Sequence, residues 1–223
     1  MAKRSNRQSD DEFVRRRTIE TSLRDGSRVR VRPILSDDKQ HLVEGFRRLS
    51  PESRYRRFMT PIQELTPEML RHLTEVDHAD HFAWIAFSAE EPGNPGVGVS
   101  RYVRFPDEHD VAEAAVTVVD DWHGRGLGTL LLQLLGASAL ENGIRRFRSY
   151  ALEANKAVRD VLEPMGARFE HDSGGVVRVE VDLPGSAEQL VGTGVYEVLR
   201  RVARGEGPVI IPGAGLSGRS EGG

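Results

Sequence analysis

Asp121-Trp122-His123-Gly124-Arg125-Gly126-Leu127-Gly128-Thr129 joins an apolar, β-like run, Val111 to Val119, to a leucine-rich stretch with helical spacing. A glycine-rich turn in that position forms an anion cradle. Glycine lets the backbone turn tightly and approach a ligand closely, while the first turn of a helix offers unpaired N–H groups at the positive end of its dipole. Phosphate suits such a turn, and three glycine-loop patterns compete for it. The P-loop requires Gly-x-x-x-x-Gly-Lys-Ser/Thr, and no lysine stands here to reach a β- or γ-phosphate, which disfavours ATP hydrolysis. The dinucleotide fingerprint Gly-x-Gly-x-x-Gly fits Gly124 and Gly126, but Thr129 holds the third place and no repeated βαβ pattern surrounds it. The third pattern is a turn that cradles a pyrophosphate after one strand of a mostly antiparallel sheet.

Working outward, Leu127, Leu130, Leu131, Leu134, Leu135 and Ser138 fall at helical spacing within Gly126 to Glu141, and Asn142-Gly143 ends that helix. Phe147 to Leu152 reads as a strand, Lys156 to Glu163 as a short helix, and Arg168 to Leu183 as a hairpin turned at Ser173-Gly174-Gly175. Upstream, Phe82 to Phe87 and Val97 to Phe105 read as strands separated by the breaker Glu91-Pro92-Gly93-Asn94-Pro95-Gly96. Thr66-Pro67 and Ser50-Pro51 open helical segments, and Ser36 is placed to cap a helix with Leu42, Val43, Phe46 and Leu49 on one face. Arg28-Val29-Arg30-Val31-Arg32 alternates charged and β-branched residues with the period of a half-buried strand. The resulting order is β-α-α-β-β-β-α-β-α-β-β.

His123-Gly124-Arg125-Gly126-Leu127-Gly128 matches Gln/Arg-x-x-Gly-x-Gly/Ala except at its first position, and here the chain resembles the GNAT N-acetyltransferases. The resemblance extends over residues 27 to 183, and Leu23 to Asn155 looks most like the bacterial Pat-like protein-lysine acetyltransferases. It implies an α+β GNAT fold, a central, mostly antiparallel twisted sheet flanked by helices, here with a C-terminal helical extension. It also implies acetyl-CoA as cosubstrate and no metal. Backbone N–H groups from Gly124 to Thr129 would then receive the pyrophosphate, with Arg125 adding charge. In the family the pantetheine lies along the end of the fourth strand, which corresponds here to Val116, Thr117 and Val118. Glu113, ten residues before His123, occupies the place where such enzymes put a glutamate base. Asn155 matches a position that often contacts the cofactor, with capping of the following helix as its other role. The tyrosine expected seven residues later is Leu162, so the usual general acid is missing, and Tyr150 is one substitute. Histidine at 123 is the other departure: it either packs where glutamine would or places an imidazolium beside the pyrophosphate.

Acetyl transfer to an amine needs the neutral nucleophile, and lysine with a pKa near 10.4 is neutral in roughly one molecule in 2,500 at pH 7. A general base such as Glu113 therefore has real value. The expected reaction is acetyl transfer from acetyl-CoA to an amine, a protein lysine above all. A small-molecule amine acetyltransferase and a catalytically inactive acyl-CoA-binding regulatory module are the alternatives, and a scaffold built on the C-terminal helix is a third.

The chain has 223 residues, no cysteine and a net charge of −3, with an isoelectric point near 6.2. One domain with tails accommodates that length, and burying roughly 70% of the unfolded surface is within its reach. The divisions expected are a disordered basic arm over 1–22, carrying Lys3, Arg4, Arg7 and Arg15 to Arg17, the acetyltransferase domain over 23–184, and a C-terminal helix with a glycine-rich tail over 185–223. The acidic balance argues against nucleic acid as a partner. No apolar run approaches 18 residues and no signal-peptide core follows Met1, so the expectation is a cytoplasmic protein without a membrane partner. The C-terminal helix, apolar at Val195, Val198, Leu199 and Val202, could fold over the sheet or join two subunits as a homodimer. His72, His78 and His81 with Asp77 and Asp80 resemble a metal set superficially, but read as a polar connector. Arg54, Arg56 and Arg57 read as a solvated helical turn, with an acidic acceptor surface as the alternative.

Overall fold

The computed structural model describes residues 12–163, 166–184 and 209–211. Alternating residues build its strands: in Arg28–Pro33 (β2), Val29, Val31 and Pro33 are buried while Arg28 and Arg30 face water. His81–Ser88 (β3) instead is apolar from Phe82 to Phe87, because both of its faces are covered. Phe82, Trp84 and Ala86 join Leu127, Leu131, Leu134 and Leu135 in the main core. Ala83, Ile85 and Phe87 pack on the opposite face with Ile34, Leu42 and Val76.

Among the described residues nine strands form one sheet in the order β7-β8-β6-β5-β4-β3-β2-β1-β9. The remaining strands are Ile19–Ser22 (β1), Gly96–Phe105 (β4), Glu108–Val118 (β5), Arg146–Leu152 (β6), Arg168–His171 (β7), Val176–Asp182 (β8) and Val209–Ile211 (β9). Neighbours are antiparallel except β5–β6 and β1–β9, which are parallel. After a helical turn over residues 12–17 (α1), the helices are Lys39–Arg47 (α2), Pro51–Phe58 (α3), Pro67–Thr74 (α4), Leu127–Glu141 (α5) and Lys156–Leu162 (α6). The expected GNAT arrangement of strands and helices is present, with β1 and β9 added at one edge.

Three expectations change. The disordered arm does not run to residue 22: residues 12–17 are helical and Ile19–Ser22 pairs with β2, with Ile19 fully buried. Ile19 and Thr21 turn inward while Glu20 stays exposed and pairs with Arg30 across the strands at 2.9 Å, a short alternation beside the arginine run. Residues 1–11 lie outside the described residues. Within the C-terminal tail, Val209–Ile211 is a strand parallel to β1, whereas the helix expected around Val195 lies outside the described residues. Finally, Ser36 makes no cap. Asp38 does the local work, accepting from the Leu35 N–H at 2.7 Å and holding Arg32 bidentately at 2.6 and 2.7 Å.

Helix α5 seats tightly on the sheet. The Ser100 hydroxyl donates to Leu131 O at 3.0 Å, and Trp84 Nε1 donates to the Ser138 hydroxyl at 3.1 Å. Gly98 makes the close approach: a Cβ there would lie 2.9 Å from Leu131 Cδ1 and 3.3 Å from Thr117 O. On the other face, buried Arg101 ties β4 to α4 by donating to Leu73 O at 2.9 Å. Its second branch lies 3.0 Å from His81 Nε2. A guanidinium can only donate, so Nε2 must accept and His81 is neutral, with its proton on Nδ1. Burial, followed by the charge of Arg101, lowers the His81 pKa to about 4.

Gly98→Ala is expected to cost about 1–3 kcal/mol by overpacking, a fall of several degrees in melting temperature measurable by calorimetry. His81 gives a pH signature. An unfolded chain takes up this proton near pH 6.5 while the folded one refuses it down to about 4, so stability is full above 6.5 and falls as pH drops toward 4. Melting temperatures across that window should decline less steeply in His81→Gln, whose amide oxygen can still accept from Arg101; equal slopes would contradict the assignment.

Candidate functional site

The parallel ladder between β5 and β6 holds for only three pairs, Val111↔Arg146, Ala112↔Phe147 and Glu113↔Arg148. On its other side β5 remains paired with β4 in unbroken register from Arg104↔Ala112 to Gly98↔Val118, so no bulge interrupts Val116–Val118. The Val119 N–H donates to Val97 O at 3.0 Å, which fixes the alternation: backbone groups of residues 113, 115 and 117 point to β4, and those of 112, 114, 116 and 118 point to β6. Two of these are taken by side chains. The Ser149 hydroxyl donates to Ala114 O at 2.6 Å, and His123 Nε2 lies 2.9 Å from Val118 O. A carbonyl can only accept, so His123 carries its proton on Nε2. Among the described residues, the Val116 N–H and C=O and the Val118 N–H have no partner. An extended amide chain could pair there as an added strand.

The side chains of Val116 and Val118 pack toward the main core, whereas Thr117 faces the opposite cleft. The three residues expected to meet the cofactor thus present different groups: backbone toward the opening at 116 and 118, a side chain toward the cleft at 117.

The cradle follows. Val119 leads into a 3-10 turn, Asp120–Trp122, and α5 begins at Leu127 with Gly126 as its N-cap. Gly124 and Gly126 hold φ of 75° and 92°, the left-handed region that disfavours a side chain. The amides of Leu127, Gly128 and Thr129 open the helix and face outward without intrahelical acceptors. Arg125 is folded back: it donates to Asp121 O at 2.8 and 3.1 Å and to the Ser27 hydroxyl at 3.0 Å, and it lies over the Trp122 ring. Its side chain braces the turn, so the cradle presents chiefly backbone. Buried Trp122 anchors the same turn by donating to Glu91 at 2.8 Å. Asp120 accepts from the Ser50 N–H at 2.7 Å and from the Ser50 and Ser53 hydroxyls at 3.0 and 2.7 Å, which fastens the start of α3 to the cradle. These elements fit a pyrophosphate attached to an amide-bearing arm: N–H donors at one end, unpaired strand edge at the other.

A cleft of about 640 Å³ opens on the sheet face beneath α2, α3 and α4, lined by Leu42, Phe46, Leu49, Phe58, Val99 and Thr117, among others. Arg57 of α3 and Arg101 of β4 also line it. Glu113, exposed, shares the face of Ala115 and Thr117 and stands at the last residue pair before β5 and β6 part. Burial lowers the pKa of Arg57, and the charge of Glu113 opposes that shift, so the two groups sense each other. Arg101 falls to about 9 through burial and the nearby Arg57. The structure puts Arg57 in the cleft instead of on the solvated turn expected from sequence, and adds Arg101, whose signal was a charge, one of two with Arg104, inside the otherwise uncharged strand Val97 to Phe105.

Asn155 caps α6, accepting from the Val158 N–H at 3.4 Å. Leu162 packs with Ala151, Val177 and Val179, away from Glu113. Tyr150 is 45% exposed, and in-register pairing of Glu113 with Arg148 places it on the same face as Glu113, where a hydroxyl could meet a leaving group. Among the described residues no group of three or more His, Cys, Asp or Glu side chains is arranged to hold a metal ion.

Comparison with known proteins places this geometry. The acetyltransferase (GNAT) domain family matches residues 28–168. Acetyltransferase Pat of Mycolicibacterium smegmatis is 37% identical over 166 residues, covering 74% of this chain and 49% of that protein, so the chain spans about half the length of this relative. Acetyltransferase PA5475 of Pseudomonas aeruginosa is 36% identical over 151 residues, covering 68% of this chain and 81% of that one. The crystal structure of the GNAT domain of S. lividans PAT superposes with a TM-score of 0.68 at 34% identity, covering 74% of this chain and 97% of that chain. A cAMP-binding acyltransferase from Mycobacterium smegmatis superposes with a TM-score of 0.62 at 31% identity, covering 91% of this chain and 58% of that chain. With that family matched over residues 28–168, the chain belongs to the GNAT acetyltransferase family.

Proposed function

We propose that this chain transfers the acetyl group of acetyl-CoA to the ε-amine of a protein lysine, with Glu113 as general base. The observation that carries the reading is the position of Glu113, where the unpaired edge of β5 begins and the apolar cleft opens beside it. Membership of the family implies acetyl-CoA; the lysine acceptor rests on the likeness to Pat-type acetyltransferases.

Each residue then has a part. The amides of Gly124 to Thr129 receive the pyrophosphate, and the backbone of Val116 and Val118 pairs with the pantetheine arm. Glu113 takes a proton from the acceptor ammonium, directly or through water, so that the neutral amine attacks the thioester carbon; the nitrogen gives up its second proton to solvent as the intermediate collapses to the amide. The Val116 N–H is the donor for the carbonyl oxygen as it gains charge, and it needs no reorganisation to do so. The C–S bond breaks and the sulfur leaves as thiolate or takes a proton from Tyr150. Arg57 and Arg101 aid the base, because neighbouring positive charge favours the neutral amine over ammonium. His123 holds the last carbonyl of β5 in place, a bond that a glutamine amide would also make. Asn155 supports the site as the cap of α6, and from there its amide can reach the cofactor arm. The described residues include no helix long and apolar enough to cross a membrane, and a cytoplasmic location is part of this reading.

Glu113→Gln should lower kcat/KM for a lysine peptide by a factor of about 10²–10⁴, while acetyl-CoA affinity measured by calorimetry stays within about twofold. Parallel loss of binding would make Glu113 structural instead. Saturating acetyl-CoA or CoA, at about a hundredfold its Kd, should stabilise the wild-type protein by about 2.7 kcal/mol, a melting shift of roughly 5–11 °C. ATP or NAD producing the larger shift would overturn the cosubstrate assignment. A lysine peptide tried against small amines decides the acceptor class.

A further inference from the structure

Arg57 is the charge of the cleft that has no bonding partner among the described residues. It projects from the last turn of α3, lines the cleft, and among the described residues makes no hydrogen bond and no ion pair; its guanidinium rests 5.1 Å from the Phe58 ring. Its neighbours on the arginine-rich turn are employed differently: Arg56 pairs with Glu52 at 2.6 Å and Arg54 donates to Arg47 O at 3.3 Å. Behind Arg57 stands Arg101, 6% exposed, whose donors are met by a carbonyl and a neutral imidazole. Those partners each take one N–H of its two terminal nitrogens but, being neutral, leave its charge uncompensated. Glu113 is the carboxylate whose charge reaches Arg57, and it lies beyond ion-pair distance. Among the described residues two cations therefore line a largely apolar cleft, with the carboxylate of Glu113 near its margin, in a chain whose net charge is −3. An approaching ammonium meets repulsion from two guanidinium groups, which Glu113 alone only partly offsets.

We propose that the cleft selects an acceptor carrying a carboxylate beside its amine, with Arg57 receiving the carboxylate while Glu113 receives the amine. The proposal rests on the cleft being the acceptor site. Arginine suits the task because its planar fork matches a carboxylate bidentately, and an ion pair shielded by Phe58, Leu65 and Leu73 is stronger than one in open water. Arg101 deepens the positive potential without competing for the ligand, since both its branches are occupied. The shared chemistry has two sources: an acidic residue next to the acceptor lysine of a protein, or the α-carboxylate of a free amino acid.

The test is calorimetric titration of the full chain saturated with CoA, so that affinity is read without turnover. The probes are a lysine peptide flanked by glutamate, its glutamine-flanked twin, free lysine and lysinamide. The carboxylate-bearing member of at least one pair is expected to bind about tenfold tighter or better. That preference should fall to within about twofold in Arg57→Gln and survive in part in Arg57→Lys, with melting temperatures reporting that both variants fold. Discrimination within the peptide pair identifies a protein acceptor, and discrimination within the lysine pair a small one. Equal affinities within both pairs, absence of binding by every probe, or a preference that persists in Arg57→Gln overturns the proposal. Discriminating binding without any acetyl transfer from acetyl-CoA would instead strike the lysine-transferase reading and leave the carboxylate site standing.

Discussion

The parting of β5 from β6 after Glu113 is the constraint on which the site depends. A strand inside a sheet has its backbone groups paired on both sides, and an unpaired interior edge is costly unless something occupies it. Here the first carbonyl past the ladder is met by Ser149 and the last by His123, which leaves the Val116 groups and one amide of Val118 open between them. Both stopgaps are side chains reaching across from the elements that bound the opening. Because β5 stays in register with β4 from Ala112 to Val118, the opening is a feature of the β6 side alone, and the stretch that carries Glu113 remains seated on β4.

That opening joins two regions with different physics. At one end, left-handed glycines and the start of α5 offer oriented N–H dipoles, a site for charge that requires no cationic side chain. Arg125 illustrates the point, since it is spent on Asp121, Ser27 and Trp122 and stabilises the turn. At the other end, Arg57 and Arg101 supply charge from side chains in an apolar cleft. Asp120 connects the ends mechanically: its three hydrogen bonds to Ser50 and Ser53 start α3, and α3 carries Arg57 in its last turn. Cradle, strand edge and cleft are thus held in one frame.

The uneven distribution of charge explains how an acidic chain can present a basic cleft. Glu108, Glu180 and Asp182 are engaged by Arg146, Arg148 and Arg168 toward the β6–β8 end of the sheet. Neutral groups satisfy Arg101, so its charge is available to the cleft. Net charge describes the long-range field of the molecule, whereas selectivity at a site depends on which charges face it.

Period-two spacing in the amino-acid sequence determined β2, runs bounded by turn residues marked β3 to β8, helical spacing determined α5, and the glycine turn with its motif determined the family, because these signals lie in residues adjacent along the chain. Prolines after Ser50 and Thr66 marked the starts of α3 and α4 for the same local reason. The short β1 escaped notice because its four residues sit beside an arginine run and gain their stability from pairing with β2. Only the tertiary structure decided that Arg57 enters a cleft while Arg56 remains on the surface, that Arg101 is buried against His81, and that Arg125 turns away from the cradle. The physical reason is that a charged side chain takes its role from the partners and solvent around it, and residues 57, 81, 101 and 113 come together only when α3, β3, β4 and β5 have packed.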